Sequence, residues 1–390
     1  MTNASQQYRL QRVSSMRSID AGAWNRLVDD DPFLRHEFML ALENAGCVGE
    51  GTAWQPCHLV LSASNKDIVA ALPLYLKYDS HGEFVFDWSW AGAYERAGLS
   101  YYPKLVSSVP FTPATGARLL VEPSVDRHTA VQKLINGARG LADEFNASSL
   151  HVLFPTEAER SMLSDEGFLC RKGCQFHWHN DAYKDFDEFL GRFSSAKRKK
   201  AKRERRRIAE AQVEFKHLRG DEPSAEDWDA IYQFYSRTFH RRGRSPYLNR
   251  EFFDEISVTM PESLVIILAR YQDQPIATAI CFRSKDTLYG RYWGSLADFH
   301  SLHFEACYYQ GIDYCIREGL QRFEPGTQGE HKVSRGFTPR ATWSCHWLSN
   351  PDFYNAVENF VASETTHIDA YMEHLRDRVP YRRDCRQKIV

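Results

Sequence analysis

Strand-like and helical patterns alternate along this chain in an order that occurs twice, on either side of a dense basic segment at residues 195–207. In the first half, helical patterns at 21–29 and 32–45 lead to strand patterns at 58–63, 67–77 and 83–90, with a turn at 79–82. A buried strand at 118–122 is followed by an amphipathic helix at 124–146, whose Val131, Leu134, Ile135, Ala138 and Leu141 recur at helical spacing. Strand 149–154, helix 156–165 and a closing strand or hairpin at 167–179 complete that half. The second half reads strand 213–218, helices 225–241 and 250–260, then strands 264–271, 276–283 and 287–295. A long helix at 302–319 and a short strand at 322–325 follow, with Gly319 placed as the residue that ends the helix. This order predicts an α/β chain of the α+β type with mixed sheets. The expected division is 8–185, 186–348 opening with the basic helix, and a C-terminal helix over 349–390 that packs back on the body.

At 390 residues the chain exceeds the size at which a single core stops growing, so two domains are expected. Its 43% hydrophobic and 13% aromatic content offsets the entropy of ordering only if it is buried, which excludes a disordered chain. No run of about 18 apolar residues occurs, and residues 1–12 are polar. Neither a membrane span nor an export signal is expected. Nine cysteines, an odd number scattered singly, point to reduced thiols and a cytoplasmic protein. The net charge of -2 conceals an asymmetry, because residues 197–207 hold nine basic side chains against one acid. A local electropositive site on an otherwise acidic chain is the consequence.

Several longer strings carry a resemblance. Asp87-Trp-Ser-Trp-Ala-Gly-Ala-Tyr-Glu-Arg-Ala-Gly98, Tyr102-Pro-Lys-Leu105, Val109-Pro-Phe-Thr-Pro113, Gln175-Phe-His-Trp-His179, Leu288-Tyr-Gly-Arg-Tyr-Trp-Gly294 and Gln328-Gly-Glu-His-Lys332 are similar to the bacterial FemAB-like family, linked to peptidoglycan biosynthesis or recognition. The likeness runs from about residue 32 to 347. It implies tandem GNAT-like domains, as in the Fem ligases, which move an amino acid from aminoacyl-tRNA to the amine of a cell-wall precursor. In those enzymes a basic segment opening the second domain meets substrate phosphates, and a lysine after the last core strand stabilises the oxyanion. The resemblance puts 195–207 in the first place and Lys332 in the second, with His331 standing where the family pattern has an aromatic residue.

The residues themselves support particular roles. The basic run reads as a helix capped by Ser194 or Ser195, and its crowded like charges would be relieved by a bound polyanion. A solvated charged face is the alternative. Lys199, Lys202, Arg203 and Arg206 are the expected phosphate contacts, with tRNA or a phosphorylated nucleotide-linked precursor as partner. Between 87 and 104 a strand-to-loop transition gathers aromatic side chains with Glu95, Arg96 and Lys104, the expected substrate contacts of the first half. Packing and surface ion pairs are the alternative there. Tyr289, Arg291 and Trp293 alternate along one side of a strand, where Arg291 is either a sandwiched structural group or a reader of carboxylate or phosphate. Glu330 and His331 are candidate bases and Lys332 an oxyanion donor, the parts that acyl transfer to an amine requires. Cys170, Cys174, His177 and His179 superficially suggest a metal cluster. On a strand, however, Cys174 faces away from both histidines, so no metal is expected.

The expected function is transfer of an aminoacyl or acyl group onto a small-molecule amine to form an amide. Aminoacyl-tRNA or acyl-CoA is the donor substrate, with no certain cofactor. Neither half shows the glycine-rich loop that cradles the acetyl-CoA pyrophosphate, since residues 295–300 lack glycines, so a CoA- or carrier-protein-dependent N-acyltransferase is the second reading. A non-catalytic module that binds a phosphorylated precursor or tRNA is the third.

Overall fold

The computed structural model describes residues 8–64, 66–296, 299–327, 329–383 and 385. Gln328 and the 297–298 part of the glycine-poor segment therefore lie outside the described residues. The chain forms two compact units, one of residues up to 173 with 341–368, the other of 174–340 with the residues from 369 onward. It passes between them three times, inside the strands Leu169–His179 and Thr338–Leu348 and again inside the helix Pro351–Arg376.

The first unit holds two sheets. One is antiparallel throughout, in the order Arg9–Val13, His58–Ser62, Ile68–Leu72 and Leu120–Val121. In the other, Trp54–Pro56, Tyr75–Lys77 and Lys104–Ser107 pair antiparallel in turn. Lys104–Ser107 then pairs in parallel with Ser149–Leu153, which pairs antiparallel with residues 344–348. The helix Arg127–Glu144 buries all five residues of the predicted apolar stripe, and they join the strands in one core. Residues 83–90 depart from the expected strand, because Trp88–Arg96 is a helix. Trp90 and Tyr94, four residues apart, are its buried face, while Trp88 is 46% exposed. Trp88 and Trp90 fit a period of two as well as Trp90 and Tyr94 fit a helix, and over so short a run the pattern alone cannot choose.

The second unit has a sheet in the order Val213–Leu218, Leu264–Tyr271, Gln274–Arg283, Thr287–Ser295, Arg322–Glu324 and the end of Leu169–His179. All neighbours are antiparallel except Thr287–Ser295 with Arg322–Glu324, which run parallel. The predicted helices appear as Ala225–His240, Arg250–Thr259 and a continuous stretch from Leu302 to Glu318, which Gly319 ends in the left-handed conformation at φ 71°. An aromatic core of Trp178, Phe189, Phe193, Tyr309, Phe323 and Phe337 lies among them. The helix Ala225–His240 lies so close to the sheet that a Cβ on Gly294 would collide with the carbonyl of Phe234. Thr238 Oγ1 also donates to Trp293 O at 2.7 Å. Gly294→Ala is expected to force helix and strand apart and to cost about 1–3 kcal/mol, as overpacking does. A fall in the thermal midpoint checks this. An unchanged midpoint would mean that the contact relaxes freely.

Candidate functional site

The parallel pair in the second unit is short. Thr287, Leu288 and Tyr289 lie opposite Arg322, Phe323 and Glu324, and beyond those residues the two strands no longer pair. Two local features open the gap. On the opposite edge Ile280 faces Tyr292 while Cys281 faces Gly290, so Arg291 is the extra residue of a bulge. Gly290 has only 3.2 Å between a hypothetical Cβ and Pro325 Cα, so a larger residue there would close the gap. The cavity that results has a volume of about 90 Å³ and is lined by Gly290, Arg291, Trp293, Cys307, Tyr308 and Pro325, among others. Cys307 and Tyr308 belong to Glu305–Tyr309, a π-turn within the long helix. Such turns take up an extra residue and frequently mark functional sites.

Lys332 stands beside this cleft. It lies in the 3₁₀ turn Glu330–Arg335, between Gly329 at φ 116° and Gly336 at φ 99°. Its side chain is buried, and Nζ donates to Gly326 O at 2.6 Å. Burial drives its ammonium down to about 7, and the charge of Arg291 acts in the same direction. His331 is exposed, and its Nε2 lies 2.8 Å from the Tyr308 hydroxyl. Partial burial, then Arg335 and Lys332, push its imidazole below the usual range, which favours the neutral ring. Glu330 faces outward. Its carboxylate accepts from Tyr371 Oη at 3.2 Å and lies 3.9 Å from Arg378.

The turn is anchored from below by the single acid of the basic run. Glu204 is buried, accepts from Arg335 Nη2 at 2.8 Å and accepts from Tyr309 Oη at 2.6 Å. Arg335 Nη1 in turn donates to His331 O at 2.8 Å. The basic segment is the helix Ser195–Glu210, with Ala201, Glu204 and Ile208 buried and Lys199, Lys202, Arg203 and Arg206 exposed. Lys202 pairs with Asp187 at 2.8 Å and Arg206 with Glu210 at 3.4 Å, whereas Lys199 and Arg203 have no acidic partner among the described residues. A second contact to the π-turn comes from Arg205, which lies 3.1 Å from the buried carboxylate of Glu305.

Of the residues singled out in the sequence, Arg291 and Trp293 line the cleft and Lys332 and His331 adjoin it. Tyr289 is buried and does not line it, because the bulge at Arg291 breaks the alternation. His177 is buried with Glu324 at 3.9 Å, and neither His177 nor His179 lines the cavity. Glu95 and Arg96 are exposed at the end of Trp88–Arg96 in the first unit. Lys104 is instead fully buried there. It donates to Ser80 Oγ at 2.9 Å, Glu83 Oε2 at 2.8 Å and Asp87 Oδ2 at 2.5 Å, while Tyr101 Oη donates to Asp87 at 2.6 Å. Burial pushes Glu83 up to about 7. Burial acts the same way on Asp87, but the charges of Lys104 and His151 outweigh it and leave the carboxyl at about 2. Sequence reasoning missed Tyr308, Cys307, Glu204 and Arg335. The only available signal was Glu204 itself, a lone acid at the helical spacing of Ala201 and Ile208.

Among the described residues, no group of three or more His, Cys, Asp or Glu could hold a metal ion, and no helix is long and apolar enough to cross a membrane. The sequence matches the FemAB-like family, described as peptidoglycan biosynthesis/recognition, over residues 15–383. No curated protein matches it. The fold is similar to that of FemX, with a TM-score of 0.55 at 11% identity, covering 90% of this chain and all of that one (100%). L-PGS from Bacillus licheniformis gives 0.50 at 11% identity, over 85% and 98% of the two chains. A tandem GNAT protein from the clavulanic acid biosynthesis pathway gives 0.46 at 12% identity, over 88% and 99%. The likeness to FemX bears out the mixed α/β, Fem-like fold expected from the resemblance.

Proposed function

This chain belongs to the FemAB-like family, and from that premise we propose that the cleft of its second unit moves an aminoacyl or acyl group onto an amine, forming an amide. The observation that carries the reading is the buried amine of Lys332 beside a gap between parted parallel strands. The donor's ester or thioester carbonyl enters the cleft, and the amine nitrogen attacks its carbon. Negative charge builds on the carbonyl oxygen and is met by the Lys332 ammonium in a site with little water, where such a donor is worth far more than in solution. The C–O or C–S bond then breaks. The leaving oxygen or sulfur takes up a proton, and the new amide nitrogen gives one up to His331, Glu330 or water. Neutral imidazole at His331, oriented by the Tyr308 hydroxyl, suits that acceptor role. The exposed face of the basic helix holds the phosphates of the donor or of a nucleotide-linked precursor.

Turnover with a charged tRNA or an acyl thioester, monitored for deacylated tRNA or free thiol, identifies the donor. Binding of both without turnover would replace this reading with that of a non-catalytic module. The basic helix has its own test. Replacing Lys199, Lys202, Arg203 and Arg206 together by Gln is expected to weaken binding of a polyanionic substrate and to flatten its salt dependence. The slope of log K against log salt should fall by up to about 0.9 for each duplex phosphate that is no longer neutralised. Unchanged affinity and slope would make the face a solvated one.

A further inference from the structure

The strands Leu169–His179 and Thr338–Leu348 are neighbours in one sheet, and contacts between them fix how they align. A Cβ on Gly173 would meet Thr342 Oγ1 at 2.9 Å, and Thr338 Oγ1 donates to His177 O at 3.3 Å. Both contacts fit one antiparallel alignment, which sets Cys170 directly opposite Cys345. Their two sulfur atoms lie 3.3 Å apart. Cα atoms of opposed residues in antiparallel strands are about 4.5 or 5.5 Å apart, within the range of about 4.4–6.8 Å that a disulfide bridges. The sulfurs need to approach by only about 1 Å more to reach bonding distance.

The two thiols are unequal. Cys345 is fully buried in the core of the first unit, whereas Cys170 is half-buried at the edge of that core. Cys174 and Cys307 are half-buried too. Burial pushes the Cys174 thiol up to about 11 and the Cys307 thiol well above its usual range. Cys170 is shifted the other way, because the hydrogen bond from Cys345, and after it the charge of Arg160, outweigh its burial. The same hydrogen bond, with burial, drives Cys345 upward. The thiolate is the reacting form of cysteine, so a small oxidant meets Cys170 first and finds Cys345 waiting behind it.

We propose that Cys170 and Cys345 form a redox modification site, which hydrogen peroxide closes into a disulfide and a dithiol reopens. The Cys170 sulfur attacks one oxygen of the peroxide, and the O–O bond breaks. The departing hydroxide takes up the Cys170 proton as water, and Cys170 becomes a sulfenic acid. The Cys345 sulfur then attacks that of Cys170, the S–O bond breaks, and the hydroxide leaves with the Cys345 proton as a second water. Two thiols have lost two electrons in all, and one peroxide has gained them. The new bond spans 175 positions and encloses residues 171–344 in a covalent loop. Cross-links over long loops restrict the unfolded chain more than those over short ones. The assignment does not depend on the transfer reaction.

The test treats the full reduced chain with a small molar excess of hydrogen peroxide, alkylates it under denaturing conditions and measures its intact mass. Of the nine thiols, seven are expected to take up the alkylating agent, with the peptides that hold Cys170 and Cys345 joined. Dithiothreitol should restore all nine. Because the loop is long, the oxidised chain should run ahead of the reduced one on a non-reducing denaturing gel. In Cys345→Ala the link should be lost and Cys170 trapped as the sulfenic acid by dimedone. Cys170→Ser should keep all eight of its remaining thiols under the same treatment. The wild-type measurement needs no substitution, so it decides the matter even if a variant folds poorly. The proposal is overturned if the treated wild type keeps nine thiols, or if the link joins a different pair of cysteines. It is also overturned if Cys170 is oxidised without forming a link, or if Cys170→Ser loses thiols as the wild type does.

Discussion

Lys332→Met is expected to abolish most turnover while leaving the fold intact. Loss of one preorganised oxyanion donor typically lowers turnover by about a hundredfold or more. Methionine fills a similar volume, so the packing around Gly326 should survive. Lys332→Arg should retain part of the activity, because it keeps the charge in a bulkier form. The pH dependence supplies a second readout. Lys332 is charged below about 7 and neutral above it, so turnover that needs the ammonium should decline as pH rises through about 7. Stability moves the other way. With its folded pKa depressed from 10.5, the lysine is most easily accommodated above 10.5, and stability is lost as pH falls from there through about 7. The Met variant should lack that slope and be no less stable than the wild type at neutral pH. Full activity in the Met variant, on a substrate the wild type turns over, would make Lys332 an ordinary buried lysine and remove the basis for catalysis in this cleft.

A comparable loss, of stability rather than turnover, is expected for Lys104→Met. The change would leave Glu83 and Asp87, both buried, without the cation that faces them at 2.8 and 2.5 Å. Breaking a buried ion pair by removing one partner costs about 3–5 kcal/mol. For a unit of this size that lowers its melting temperature by about 10 °C. In the wild type the two carboxyls pull in opposite directions. Glu83, raised to about 7, contributes stability that is complete below 4.5 and lost as pH rises through about 7. Asp87, lowered to about 2, contributes stability that is present above 3.8 and lost as pH falls through about 2. Without Lys104 both carboxyls should titrate upward, so the variant's deficit should shrink on acidification. Combining Lys104→Met with Glu83→Gln and Asp87→Asn should recover much of the loss. If Lys104→Met melts like the wild type but binds substrate poorly, Lys104 is a substrate contact, as its sequence neighbourhood suggested.

Elements with a strong local pattern were legible in the sequence to within a few residues. The predicted helix 124–146 is Arg127–Glu144, helix 225–241 is Ala225–His240, and strands 264–271 and 287–295 are Leu264–Tyr271 and Thr287–Ser295. The two helices carry an apolar stripe of helical period, the two strands are short runs rich in β-branched or aromatic residues, and Gly319 marks a helix end because it meets a left-handed backbone at no steric cost. The short helix Trp88–Arg96 was not legible, because its run fits either period. Nor were the crossings between the units, because they lie inside two strands and a helix, where composition does not change.

Local periodicity and composition thus determined the α/β order, the family resemblance and the presence of a basic helix, since these depend on residues a few positions apart. The environment of each polar group was decided by contacts between residues far apart. Lys104 and Lys332 are both lysines within polar strings, yet one is held by two carboxylates and the other by a single carbonyl, and the amine of the second is driven down to about 7. The bulge that admits Arg291 to the cleft, the π-turn that presents Tyr308, and the burial of Glu204 beneath Arg335 likewise arise only when strands and helices pack. Charge and hydrogen-bonding capacity belong to the residue. Desolvation, and the partner that answers it, belong to the fold.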